Sequence, residues 1–112
     1  MTATGSDVLA LYGDILSRSR EMLALAQSQE WDALVDNELL RRDIVARLRQ
    51  TLEAHPDLLQ GPEKARSEAL IREILDLDNQ TRTMAQQWME EIEHRLSSVT
   101  TTRRLKNTYL GP

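Results

Sequence analysis

Apolar residues recur along this chain at spacings of three and four, and the rhythm breaks only where glycine and proline fall. Val8, Leu11, Tyr12, Ile15, Met22, Leu25 and Ala26 make one stripe. Trp31, Leu34, Val35, Ile44, Val45, Leu48 and Leu52 make a second. Leu70, Ile71, Ile74, Leu75, Met84, Ala85, Trp88, Ile92, Leu96 and Val99 make a third. Such spacing lines one face of an α-helix, whereas a half-buried strand would alternate residue by residue. The pattern predicts an all-α fold: an antiparallel bundle of three long helices with a short fourth helix at the C-terminus.

The punctuation sets the helix ends. Ser6 is the expected N-cap of the first helix, with Asp7 placed where negative charge suits the dipole. That helix should end near Gln27 or Ser28. Gly13 lies inside it and costs about 1 kcal/mol relative to Ala, so it reads as a point of close helix–helix approach. The second helix starts between Gln29 and Trp31 and runs to Ala54, because Pro56 pushes His55 out of the helical region. A link this short makes the two helices antiparallel neighbours. After the turn-rich stretch Pro56 to Gly61, Pro62 occupies the first turn of the third helix, which should reach about Ser98.

The third helix is then longer than the others and should overhang them. Trp88, Ile92, Leu96 and Val99 on the overhang need a cover, either the chain's own tail or a second copy, which would make a homodimer. The tail, Thr100-Thr-Thr-Arg-Arg-Leu-Lys-Asn-Thr-Tyr-Leu110, offers one. With Thr102 as N-cap, Leu105, Tyr109 and Leu110 share one face of a helix too short to be stable alone. The whole chain, 1–112, reads as one domain, with residues 1–5 flexible and 100–112 a separate C-terminal segment.

Two places interrupt the stripes. Glu38 in the second helix and Asp78 with Thr81 in the third fall near the core side. Either the stripe rotates past them and they are solvated, or they form a polar layer in which Glu38 or Asp78 pairs with Arg41 or Arg42. Buried charge persists only when paired.

Composition narrows the chemistry. With 112 residues the chain supports one modest core, and without Phe it must be filled by aliphatic side chains and Met. There is no cysteine, which removes disulfides, thiolate nucleophiles and zinc–thiolate sites, and fits a reducing cytoplasm. The opening Met1-Thr-Ala-Thr-Gly-Ser6 has no secretory character, and no apolar run approaches the roughly 20 residues that span a bilayer. No membrane partner is expected. The net charge of −4 is a poor match for phosphate backbones. Arg103, Arg104 and Lys106 form too small a cluster to change that, and the helices are too long for a helix-turn-helix reader, so no direct nucleic-acid binding is expected.

Catalysis has little to work with. Glu91-Ile-Glu-His94 has the Glu-x-x-His spacing of di-iron bundles, but such sites need the motif twice, and Leu52 stands where His55 would require a glutamate. Glu90, Glu91 and Glu93 read as a solvated face. No phosphate-cradling loop and no supported nucleophile is present. The chain is read as a non-enzyme that uses no cofactor or metal, and its spare apolar surface with a detachable cover is what a helix-in-groove binding protein needs.

Met22-Leu-Ala-Leu-Ala-Gln-Ser-Gln-Glu-Trp-Asp-Ala-Leu-Val35, Ile71-Arg-Glu-Ile-Leu-Asp-Leu-Asp78 and Arg103-Arg-Leu-Lys-Asn-Thr-Tyr-Leu110, taken in order, resemble the FliT-type flagellar export chaperones. The resemblance runs from about Tyr12 to Leu110 and is least between the second and third helices. It implies a cytoplasmic chaperone. Such a protein holds the flagellar filament cap protein, prevents its premature assembly and helps deliver it to the export ATPase and associated type III export components. Some members, once free of cargo, bind the flagellar master transcriptional regulator and dampen flagellar gene expression. In the family the C-terminal segment is implicated in controlling partner access. The expected partner groove is Ile44, Leu48, Ile74, Leu75, Met84 and Trp88, each also explicable as plain core, and the expected regulatory tail residues are Leu105, Tyr109 and Leu110. The competing reading is a generic helical adaptor with no export role.

Overall fold

The structure is a computed structural model that describes residues 3–92 and 99–110. Four helices account for nearly all of it: α1 (Gly5–Gln27), α2 (Trp31–Ala54), α3 (Pro62–Ile92) and α4 (Val99–Tyr109). The all-α class and the short C-terminal helix are as expected. Among the described residues no helix is long and apolar enough to cross a membrane.

α1 begins two residues before the expected start. Thr4, not Ser6, is the N-cap: its hydroxyl accepts from the Asp7 N–H at 3.1 Å, and the Asp7 carboxylate accepts from the Thr4 N–H at 2.8 Å. This reciprocal box needs an acid three residues after the cap. From Ser6 that position is Leu9, which has nothing to offer.

The α1–α2 link is a Schellman turn. Glu30 N–H reaches Leu25 O at 2.9 Å and Gln29 N–H reaches Ala26 O at 3.1 Å. Gln29 takes the left-handed conformation that the motif requires, with φ at 58°, a place where glycine is more usual. At the other end His55 N–H caps Thr51 O, Pro56 stops α2, and Gly61, also left-handed, leads into Pro62.

Successive helices run antiparallel, but they are not packed in chain order. α1 touches both α2 and α3, and α4 touches α2 and α3; the α2 and α3 backbones do not meet, nor do those of α1 and α4. Around the bundle the order is therefore α1, α2, α4, α3. This sets α1 and α3 side by side and parallel, with their N-termini together. A Cβ at Gly5 would lie 2.5 Å from the Glu63 carboxylate, and further up Arg20 pairs with Glu73 at 3.1 Å. The glycine of close approach is thus Gly5. Gly13, expected to fill that role, has nothing near its missing Cβ.

The interior is divided in two along its length. Val8, Ile15, Leu16, Ile44, Leu48, Leu70 and Ile74 form one cluster, built only from α1, α2 and α3. Met22, Ala26, Trp31, Leu34, Val35, Ala85, Met89 and Leu105 form the other, to which α4 contributes Leu105. Between them lies the polar layer that was one of the two readings of Glu38 and Asp78. Arg41 Nη1 donates to Asp78 Oδ1 at 2.6 Å and to Ser19 Oγ at 2.8 Å, so one guanidinium ties α1, α2 and α3 together. Ser19 is buried and donates in turn to Ile15 O at 2.8 Å. Glu38 instead pairs with Arg42 one turn on, at 2.9 Å.

α3 is described to Ile92, and the expected extension to Ser98, with His94 and Leu96, lies outside the described residues. α4 already starts at Val99, so Thr102 is inside the helix and not its cap, and Val99 belongs to α4 rather than to the α3 stripe. The chain's own α4 is what covers the upper part of α3.

Candidate partner-binding groove

α4 lies in the groove left open because α2 and α3 do not touch. The groove floor is the second apolar cluster. Leu105, with 0% of its surface exposed, is the one buried residue of α4, and Leu25, Met84, Trp88 and Tyr109 pack around that cluster. Trp31 and Trp88 meet at the top of the groove, with ring centroids 5.3 Å apart and planes tilted by 41°, a spacing at which aromatic pairs attract. A helix of 11 residues does not hold itself together in water, so its order comes from this docking.

Polar contacts fasten the rim. Arg104 donates to Asp32 Oδ1 at 2.8 Å and to Asp36 Oδ1 at 2.5 Å. Thr101 Oγ1 donates to Asp32 Oδ2 at 2.9 Å. Hydrogen bonds to Asp36 and Asp32 raise the already high pKa of Arg104, so its guanidinium stays charged. Its carboxylates are more than half exposed, and exposed pairs contribute about 0–1 kcal/mol.

The foot of α4 is less well satisfied. The Tyr109 hydroxyl is buried with no hydrogen-bond partner among the described residues, as are Trp31 Nε1 at the top of the groove and Thr81 Oγ1 on α3. Burial pushes the Tyr109 phenol up to about 12; Arg41 opposes that rise, Asp78 and Glu38 add to it, and Arg82 opposes it weakly. α4 therefore ends against the polar layer with an uncompensated hydroxyl.

The expected site residues fall in three places. Met84, Trp88, Leu105 and Tyr109 come together in the α4 groove. Ile44, Leu48 and Ile74 lie across the polar layer in the other cluster, where they pack α2 and α3 onto α1. Leu75 and Leu110 are each 57% exposed. Leu110 borders a cavity of about 200 Å³ with Gln86, Met89, Glu90 and Lys106. The groove also uses residues not singled out for it: Trp31, Leu34, Val35 and Met89 on its floor, and Asp32 and Asp36 on its rim. The two aspartates, four apart and so on one face, are the signal that could have found the rim.

Among the described residues no three His, Cys, Asp or Glu side chains converge to hold a metal, and the His94 of the Glu-x-x-His motif lies outside them.

Fold and groove together define a small all-helical protein whose own C-terminal helix fills an apolar groove. The chain belongs to the FliT family of flagellar proteins: the family model described as flagellar protein FliT matches residues 9–111. Two relatives named flagellar protein FliT agree. That of Photorhabdus laumondii is 27% identical over 103 residues, covering 92% of this chain and 81% of the relative. That of Serratia proteamaculans is 30% identical over 105 residues, covering 91% and 82%. No solved structure matches.

Proposed function

We propose that this protein is a cytoplasmic flagellar export chaperone whose α4 groove receives an apolar helical segment of the filament cap protein. Holding that segment keeps the cap protein from assembling early and readies it for the export ATPase and its associated type III components. The observation that supports this most is the way α4 is held: one buried leucine, an exposed clasp and an unsatisfied tyrosine over a large apolar floor. A helical cargo segment with several apolar anchors would replace Leu105 on the floor of Trp31, Leu34, Val35 and Met89 and would also cover Met84 and Trp88, which α4 leaves partly exposed. Leu105, Tyr109 and Leu110 then form a tail that competes with cargo. The same emptied groove is available to the flagellar master transcriptional regulator once cargo has left, which would couple export to gene expression.

Calorimetric titration with the C-terminal helical region of the cap protein from the same organism tests this reading. Saturable binding at about one to one is expected, tighter after deletion of the residues following Val99. A well-folded protein that does not bind removes the cargo assignment, and a deletion that weakens binding to every partner removes the competing tail.

A further inference from the structure

The solvent face of α2 carries a feature that the groove does not use. Leu39 and Leu40 are adjacent and exposed, at 48% and 52%. Leu39 lies three residues after Asp36 and four before Asp43; Leu40 lies four after and three before. At helical spacing this sets both leucines on the surface between two aspartates. Asp32 continues the acidic edge one turn up. The basic neighbour Arg42 is turned onto Glu38, and Arg47, one turn below Asp43, marks where the acidic stretch ends. The upper end of this strip already takes a cation from an adjoining helix, because Asp32 and Asp36 hold Arg104. Asp36 stays 66% exposed while doing so.

We infer that the outer face of α2 from Asp32 to Asp43 is a second docking surface. Its occupant is an amphipathic helix of a partner protein, with apolar side chains flanked by Lys or Arg one turn to either side. Two leucines alone give too little area for a stable complex. The aspartates supply the rest: they steer a basic segment, exclude an acidic one and fix register. The Arg104 clasp is the pattern for the contact, a guanidinium bridging carboxylates four residues apart beside an apolar anchor. The surface lies on the outside of the helix whose inner face lines the groove, so a partner there shares Asp32 and Asp36 with Arg104 while Leu105 can stay in place.

The test is an amide-resolved NMR titration of the full chain with a synthetic helical peptide of about 15 residues. The peptide carries two adjacent leucines with a lysine three residues before and three residues after them. Saturable shifts centred on Asp36 to Arg47 are expected, with affinity falling as salt rises. Leu39→Ser with Leu40→Ser should weaken binding about tenfold or more. Asp43→Lys should do the same, and it decides the matter if the double variant loses helicity. A peptide with glutamates in place of the lysines should not bind. Shifts centred on Leu105 and Trp31 would overturn the proposal, as would binding unchanged in the variants. Self-association of the free protein that the double variant abolishes would also overturn it, since the face would then belong to a second copy.

Discussion

Arg41 stands on α2 with its Nη1 2.6 Å from Asp78 Oδ1 on α3, spanning two helices whose backbones do not touch. Both side chains are largely withdrawn from water, and Ser19 of α1 accepts a second hydrogen bond from the same nitrogen. Replacing Arg41 by Ala leaves Asp78 and Ser19 without their shared donor and should cost about 1.5–3 kcal/mol, the range for hydrogen bonds to charged groups. Arg41→Met with Asp78→Leu together should cost less than the sum of the single changes, because no charge is left uncompensated. Urea unfolding of Arg41→Ala and of the four proteins in the cycle measures both.

Gly13 sits in the interior of α1 with open space where its side chain would be. Gly13→Ala should therefore stabilise the protein, by about 0.5–1 kcal/mol. A thermal melt shows it as a raised midpoint. A lowered one would mean that a neighbour comes closer in solution than it does here.

Leu105→Ala truncates the one fully buried side chain of α4. Such a truncation costs about 2–5 kcal/mol when the surroundings cannot collapse, more than a peripheral helix of 11 residues can lose and stay docked. Amides of Val99–Tyr109 should then exchange at nearly unprotected rates. Those near Val8, Ile44 and Leu70, in the cluster that α4 does not touch, should keep their protection. Equal loss of protection everywhere would show the two clusters to be one cooperative unit.

Arg104→Gln opens the clasp to Asp32 and Asp36. Because those carboxylates are solvated, the loss should be about 1 kcal/mol or less at low salt. It should vanish near 1 M salt, where screening acts within about 3 Å. Fluorescence of Trp31 and Trp88, which flank the docked helix, reports the change.

The Tyr109 phenol titrates near 12 when docked and near 10 when free. Its folded pKa is the higher, so its contribution to docking is complete below about pH 10 and is lost as pH climbs to about 12. Tyr109→Phe should remove this dependence while leaving the milder upward shift of Tyr12 in place. Near neutral pH it should also hold α4 more firmly, by about 1 kcal/mol, because a buried hydroxyl with no partner is eliminated. Parallel phenolate absorbance and tryptophan fluorescence titrations of the two proteins separate these effects.

The helices were legible because proline and glycine act locally: Pro56 and Pro62 end α2 and begin α3 wherever the rest of the chain goes. The family too was legible, and all three motifs that carried the resemblance lie within residues 9–111, which the family model matches. The groove was less so. Glu38 and Asp78 interrupt the apolar stripes, but nothing in the period says that α4 stops at that height, so Ile44 and Met84 look alike on the page. Leu75 follows Ile74 directly, 100° further round the helix; such neighbours are both buried at Ile15 and Leu16, whereas here Ile74 packs inside and Leu75 stays exposed, a difference set by what lies against α3 and not by the sequence spacing. The rim needed Asp32, Asp36 and Arg104 to be recognised together, and 68 residues separate Asp36 from Arg104.

Because α4 contributes to the upper cluster only, the molecule has two ends of different character. Below the Arg41–Asp78 pair the core is complete without α4, closed by α1, α2 and α3. Above it, three helices form a vessel that the fourth happens to stopper. Such a construction lets the occupant be exchanged without the container being dismantled. The lower half, built without α4, is expected to act as a handle whose stability does not depend on what the upper half holds. The proposed carrier role calls for that separation, and a single arginine draws the boundary.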